Sequence, residues 1–99
     1  MTRPCAYLIA YDIREPRRLS AIHRFLKRQA TPIQYSVFVG RLSPSELVAV
    51  TRGLAARIDP SRDDVRIYPL PRGCRTIRLG VGFLPEGVTL AGEDLPLLS

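Results

Sequence analysis

Cys5-Ala6-Tyr7-Leu8-Ile9-Ala10-Tyr11-Asp12 is the stretch that decides the fold: seven apolar or aromatic residues in succession, closed by a carboxylate. A continuous apolar run of this length, with Pro4 before it and Arg14-Glu15-Pro16 after it, predicts a strand buried on both faces. From Arg17-Arg18-Leu19 the pattern turns amphipathic, so a helix follows. Asp12 therefore stands at the rim of a sheet, where a side chain reaches solvent and ligand while its backbone is held still. Two readings of Asp12 stand side by side. It is a metal ligand, or it caps the next helix or pairs with Arg14, Arg17 or Arg18. Position alone favours the second, because Asp is common at strand ends and helix starts.

The predicted first helix starts near Pro16, a residue suited to a first turn. Leu19, Ile22 and Leu26 give it one apolar face with Phe25 beside them, and Arg17, Arg24 and Arg28 fall opposite, flanked by Lys27. Such a basic face is ordinarily just solvated. His23 lies at the edge of the apolar arc. Thr31-Pro32 ends the helix. Ile33 to Val39 reads as one strand with at most a bend near Ser36, because no two-residue hairpin signal interrupts it. Gly40 admits a bulge or a close backbone approach.

Ser43-Pro44-Ser45-Glu46 is a capping box that opens a second helix, with Leu47, Val50, Leu54 and Ile58 as its buried face. Gly53 costs that helix about 1 kcal/mol against Ala and suits a close packing contact. Asp59-Pro60 stops it. Val65–Leu70 is a third strand, confined to an edge or ended by Pro69. After the turn Pro71-Arg72-Gly73, Cys74–Val81 is a fourth, and Arg72, Arg75 and Arg78 make a second basic cluster. The order β-α-β-α-β-β predicts an α+β, ferredoxin-like sandwich over residues 1–82, its two helices on one face of the sheet. Residues 83–99 form a breaker-rich tail, suited to an added or swapped edge strand. Two helices cannot cover both faces, so a sheet-to-sheet homodimer is the economical answer for the apolar first strand.

Ninety-nine residues suit one small domain. No stretch of about 18 apolar residues argues for a transmembrane helix, and no signal-peptide pattern opens the chain, which predicts a cytoplasmic protein. Cys5 and Cys74 are too far apart for a metal-binding pair and read as reduced core thiols. The first 82 residues hold all 15 basic residues and six of the nine acids, a net charge of +9. Fourteen of the 15 bases are arginine, whose planar donor fork fits phosphate bidentately. This balance points to nucleic acid as partner.

Tyr11-Asp12-Ile13, Pro16-Arg17-Arg18-Leu19, Gln34-Tyr35-Ser36-Val37-Phe38 and Asp64-Val65-Arg66-Ile67-Tyr68 occur in this order with short gaps. In this combination, over residues 5–82, the chain resembles the Cas-two family, small CRISPR-associated core proteins of spacer acquisition. The resemblance implies a ferredoxin-like homodimer in which Asp12 and its mate face one another and share one Mg²⁺. It implies a metal-dependent endonuclease on RNA or DNA, with Asp12 as catalytic ligand, Arg17 and Arg18 as phosphate clamps and Ser36 as a polar neighbour. It equally implies a non-catalytic adaptor that bridges DNA to the CRISPR integrase subunit. In that role Arg14, Arg17, Arg18, Arg24, Arg28, Arg72, Arg75 and Arg78 would grip duplex or single-stranded nucleic acid. A toxin-like ribonuclease is a third possibility on the same fold. The chain departs from the family in two places. Val39 stands where an acid often follows Ser-Val-Phe, and Gln29-Ala30-Thr31 stands where a Gly commonly ends the first helix. No second acid of the type the family carries, and no suitable general base, is visible to accompany Asp12.

Overall fold

Cys5–Asp12 forms the central strand β1, flanked on both sides, as its apolar run requires. The computed structural model describes residues 4–73. After β1 come helix α1 (Pro16–Lys27), strands β2 (Thr31–Gln34) and β3 (Val37–Leu42), helix α2 (Pro44–Ala55) and strand β4 (Asp64–Leu70). The sheet order is β2-β3-β1-β4, antiparallel throughout. This is the α+β, ferredoxin-like arrangement.

The element order departs from expectation at one point. The single strand expected over 33–39 is a hairpin, so the described chain runs β-α-β-β-α-β. Tyr35-Ser36 makes the turn, with Ser36 in the left-handed region at φ 60°. Hairpin turns favour Gly or Asn for that conformation, and here a serine takes it. The expected strand over 74–81, the boundary at residue 82 and the tail over 83–99 lie outside the described residues.

Alternation puts Tyr7, Ile9 and Tyr11 of β1 on the helix side of the sheet, with Phe38 and Leu42 of β3. Ile22 and Leu26 of α1 and Val50 and Leu54 of α2 complete one core on that face. Leu19, in the first turn of α1, is 38% exposed and takes little part. The Ser43 capping box forms as expected: Ser43 Oγ accepts from the Glu46 amide, and Glu46 Oε1 from the Ser43 amide. Gly53 lets the Phe25 ring of α1 lie against the α2 backbone, where a Cβ would overlap it. Arg57 stacks on the same ring, 4.3 Å from its centroid. Gly40 likewise allows close approach of Gln29 and Ala30.

Neither helix covers the other face, which carries Ala6, Leu8 and Ala10 beside Val37 and Val39 of β3 and Tyr68 and Leu70 of β4. Cys5 is exposed at the start of β1 and not in the core as expected. None of the described helices is long and apolar enough to cross a membrane.

Candidate active site

Asp12 is the last residue of β1 and is exposed at the sheet rim. Among the described residues, no hydrogen bond or ion pair engages its carboxylate. The two bland duties foreseen for it fall to other acids. Glu15 is the N-cap of α1, its Oε1 accepting from the Arg18 amide at 2.9 Å. That bond, ahead of the charges of Arg18 and Arg17, lowers the Glu15 pKa.

Asp63 takes the ion pair. Its carboxylate accepts from Arg18 Nε at 2.7 Å, Arg18 Nη2 at 3.1 Å, the Arg14 amide at 3.0 Å and the Asp59 amide at 2.8 Å. The side chain is fully screened from solvent. The Arg18 guanidinium, with these amides, holds the Asp63 carboxyl well below the usual carboxylate range. One carboxylate thus ties the β1–α1 turn, the first turn of α1 and the approach to β4 into a single support beneath the rim. Arg18 was expected to clamp phosphate; its guanidinium is bound to Asp63 instead.

Asp64, the first residue of β4, lies directly opposite Asp12 in the β1–β4 register. Directly opposed residues of an antiparallel pair have Cβ atoms roughly 4.5–5.5 Å apart. A second carboxylate therefore stands beside Asp12 on the face the helices leave open. Arg66 Nε donates to Asp64 Oδ2 at 2.9 Å, an exposed pair on the same strand. Sequence reading missed this neighbour. The Asp63-Asp64 dipeptide at a strand start was the available signal, and only the register shows which acid meets Asp12.

On the other flank, the Tyr11 amide donates to the Ser36 carbonyl at 3.1 Å, which fixes the β2–β3 turn beside Asp12. Ser36 contributes this backbone oxygen. Tyr35, at the tip, is 86% exposed. On the helix side, the Tyr11 hydroxyl pairs with His23 Nδ1 at 3.4 Å, and the His23 ring meets Phe38 edge-on. Burial pushes the Tyr11 phenol above its ordinary pKa.

Arg17, Arg24 and Arg28 are exposed and fall on one stripe of α1, seven and four residues apart, along roughly 16 Å of helix. None of them makes an ion pair with a carboxylate among the described residues. Arg14 and Arg72 are also exposed. Arg75 and Arg78 lie outside the described residues. No group of three or more potential metal-ligating side chains occurs among the described residues. The donors at the rim are two aspartates, whose hard oxygens suit Mg²⁺, an ion that keeps several waters and takes one or two carboxylates.

The chain matches the family model for CRISPR associated protein Cas2 over residues 5–77. It is 41% identical over 86 residues to the CRISPR-associated endoribonuclease Cas2 1 of Nitrosomonas europaea, covering 87% of this chain and 82% of that one. It is 43% identical over 83 residues to the CRISPR-associated endoribonuclease Cas2 2 of Thermodesulfovibrio yellowstonii, covering 83% and 91%. The fold matches crystal structures of the Thermus thermophilus protein TT1823 (TM-score 0.75, 34% identity, 84% of this chain and 99% of that one) and of Streptococcus pyogenes Cas2 (TM-score 0.70, 27% identity, 76% and 99%). The rim aspartate on the central strand, the hairpin beside it and the two-helix sandwich beneath it all lie within the matched span, and the chain belongs to the Cas2 family of CRISPR-associated proteins.

Proposed function

We propose that this protein is an Mg²⁺-dependent endoribonuclease of the CRISPR system whose reactive centre is the Asp12 rim. The observation that carries this reading is the Asp12 carboxylate, unengaged among the described residues, with Asp64 directly across from it. Similarity to relatives that bear the endoribonuclease name supports it. Bound Mg²⁺ supplies charge neutralisation at phosphorus and lowers the pKa of an attacking water. Asp12 holds the ion, with Asp64 as its neighbour in the same chain. Asp63 and Arg18 keep the turn after Asp12 in place, so the carboxylate is presented on a rigid support. Exposed Arg14 and Arg17 lie on the segment that follows Asp12 and bind the phosphates of the strand.

The open sheet face supports a homodimer. On the face that neither helix covers, Leu8, Ala10 and Val37 are half-buried and Tyr68 is exposed, and a second copy would bury them further. In such a pair the Asp12 carboxylates of both copies would be the residues to hold Mg²⁺, as the family resemblance implies. The test is cleavage of labelled single-stranded RNA by the dimer, with and without Mg²⁺. Asp12→Ala should abolish Mg²⁺-dependent cleavage while the dimer persists. Undiminished cleavage in that variant rejects the reading.

A second reading has its own observation. The stripe of Arg17, Arg24 and Arg28, without carboxylate partners among the described residues, suits the phosphates of duplex DNA, contacted without reading sequence. In this reading the dimer is a DNA adaptor for the integrase subunit during spacer acquisition, and Asp12→Ala still binds DNA and still supports integration.

A further inference from the structure

We propose that Tyr35 is a nucleobase-stacking platform that seats single-stranded nucleic acid next to the Asp12 rim. The inference rests on the nucleic-acid reading above and adds a site to it. A single exposed aromatic is common on protein surfaces and by itself signifies nothing. Three further features distinguish Tyr35. It occupies the tip of a two-residue turn that projects its side chain into solvent, 86% exposed. The turn is made by a non-glycine residue in the left-handed region, Ser36 at φ 60°, a conformation that persists only where surrounding structure imposes it. The Tyr11 amide donates to the Ser36 carbonyl and ties the turn to β1. Tyr11 and Ser36 are the immediate chain neighbours of Asp12 and Tyr35. Backbone dimensions therefore bring the Cα atoms of Asp12 and Tyr35 within roughly 13 Å of each other.

A rigidly mounted aromatic beside a phosphate-handling rim has a clear chemical use. A flat ring accepts the face of any base, so it holds a strand without reading its sequence. The exposed arginines nearby, Arg14 and Arg17, take the phosphates, and Tyr35 takes a base of the same strand. Duplex nucleic acid keeps its bases stacked inward and gains nothing from Tyr35. The residue thereby biases the rim toward single strands.

The test is binding of a short labelled oligouridylate, its abasic analogue and a DNA duplex to the dimer, by fluorescence anisotropy at fixed salt. Tyr35→Ala should weaken oligouridylate binding about five- to 150-fold, the range of one lost base–aromatic stack. Duplex binding should not change, and the abasic strand should bind wild type and variant alike. Tyr35→Phe and Tyr35→Trp should keep wild-type affinity for oligouridylate. If Tyr35→Ala binds oligouridylate as wild type does, while wild-type binding still falls with salt, the platform is overturned and the nucleic-acid reading survives. If wild type binds neither strand nor duplex, both fall. If Tyr35→Ala converts dimer to monomer, Tyr35 is a contact between copies and the platform is overturned.

Discussion

Asp12 and Asp64 are directly opposed in the antiparallel pairing of β1 with β4, so one chain presents two carboxylates side by side on an exposed rim. Like charges in this relationship destabilise a sheet by roughly 0.2–1 kcal/mol. Arg66 offsets part of this by donating to Asp64, and among the described residues no such donor reaches Asp12. The arrangement makes sense as a place where a cation or a polyanion's counter-charge is accepted.

Replacing Asp12 with Asn should therefore have effects of opposite sign on stability and activity. Without divalent cation, the variant should be more stable than wild type by about 0.2–1 kcal/mol. Mg²⁺-dependent RNA cleavage should be lost. Urea melts and a cleavage assay on the same preparation check both; a destabilised variant would mean that Asp12 has a structural role.

Asp63 sets an acid limit on the fold. Its folded-state pKa lies below the ordinary value, so the unfolded chain binds the proton more tightly. Its contribution to stability is complete above the unfolded carboxylate pKa of about 3.9, and it is lost as pH falls toward the folded value. Glu15 and Asp59 are shifted in the same direction. Thermal midpoints measured from pH 7 downward should hold until about pH 4 and then fall. Asp63→Asn should lower the midpoint at neutral pH and make its acid dependence shallower.

Gly53→Ala tests the crossing of α1 and α2. The added Cβ overlaps the Phe25 ring, and overpacking of this kind costs about 1–3 kcal/mol. The gain in helix propensity returns only about 1 kcal/mol. The urea midpoint should fall, and the Arg57–Phe25 stack should be displaced with it.

Arg24 sits in the middle of the basic stripe on α1. Arg24→Ala should weaken duplex binding uniformly across sequences and reduce the log–log salt slope by about 0.9 for each lost phosphate contact. An unchanged slope would place the bound nucleic acid on another surface.

Much of this structure was legible in local pattern. The apolar run of β1, the proline and amphipathic period of α1, and the capping box of α2 each depend on neighbours in sequence, and each element begins where the residues indicate, while α1 ends at Lys27 and α2 at Ala55, short of the Thr31-Pro32 and Asp59-Pro60 stops. The hairpin at Tyr35-Ser36 was not legible, because its left-handed residue is a serine without the glycine or asparagine that marks such turns. The opposition of Asp12 and Asp64 was not legible either, since 52 residues and a strand register separate them. The same distance hid Asp63, which supplies the ion pair to Arg18 that reading along the chain would assign to Asp12.

The Asp12 metal site is tested by calorimetric titration of Mg²⁺ into the wild-type protein and into Asp12→Ala, with the oligomeric state of each measured alongside. One ion for every two wild-type chains, and no binding by the variant, is the expected result. Equal binding by both proteins would contradict it.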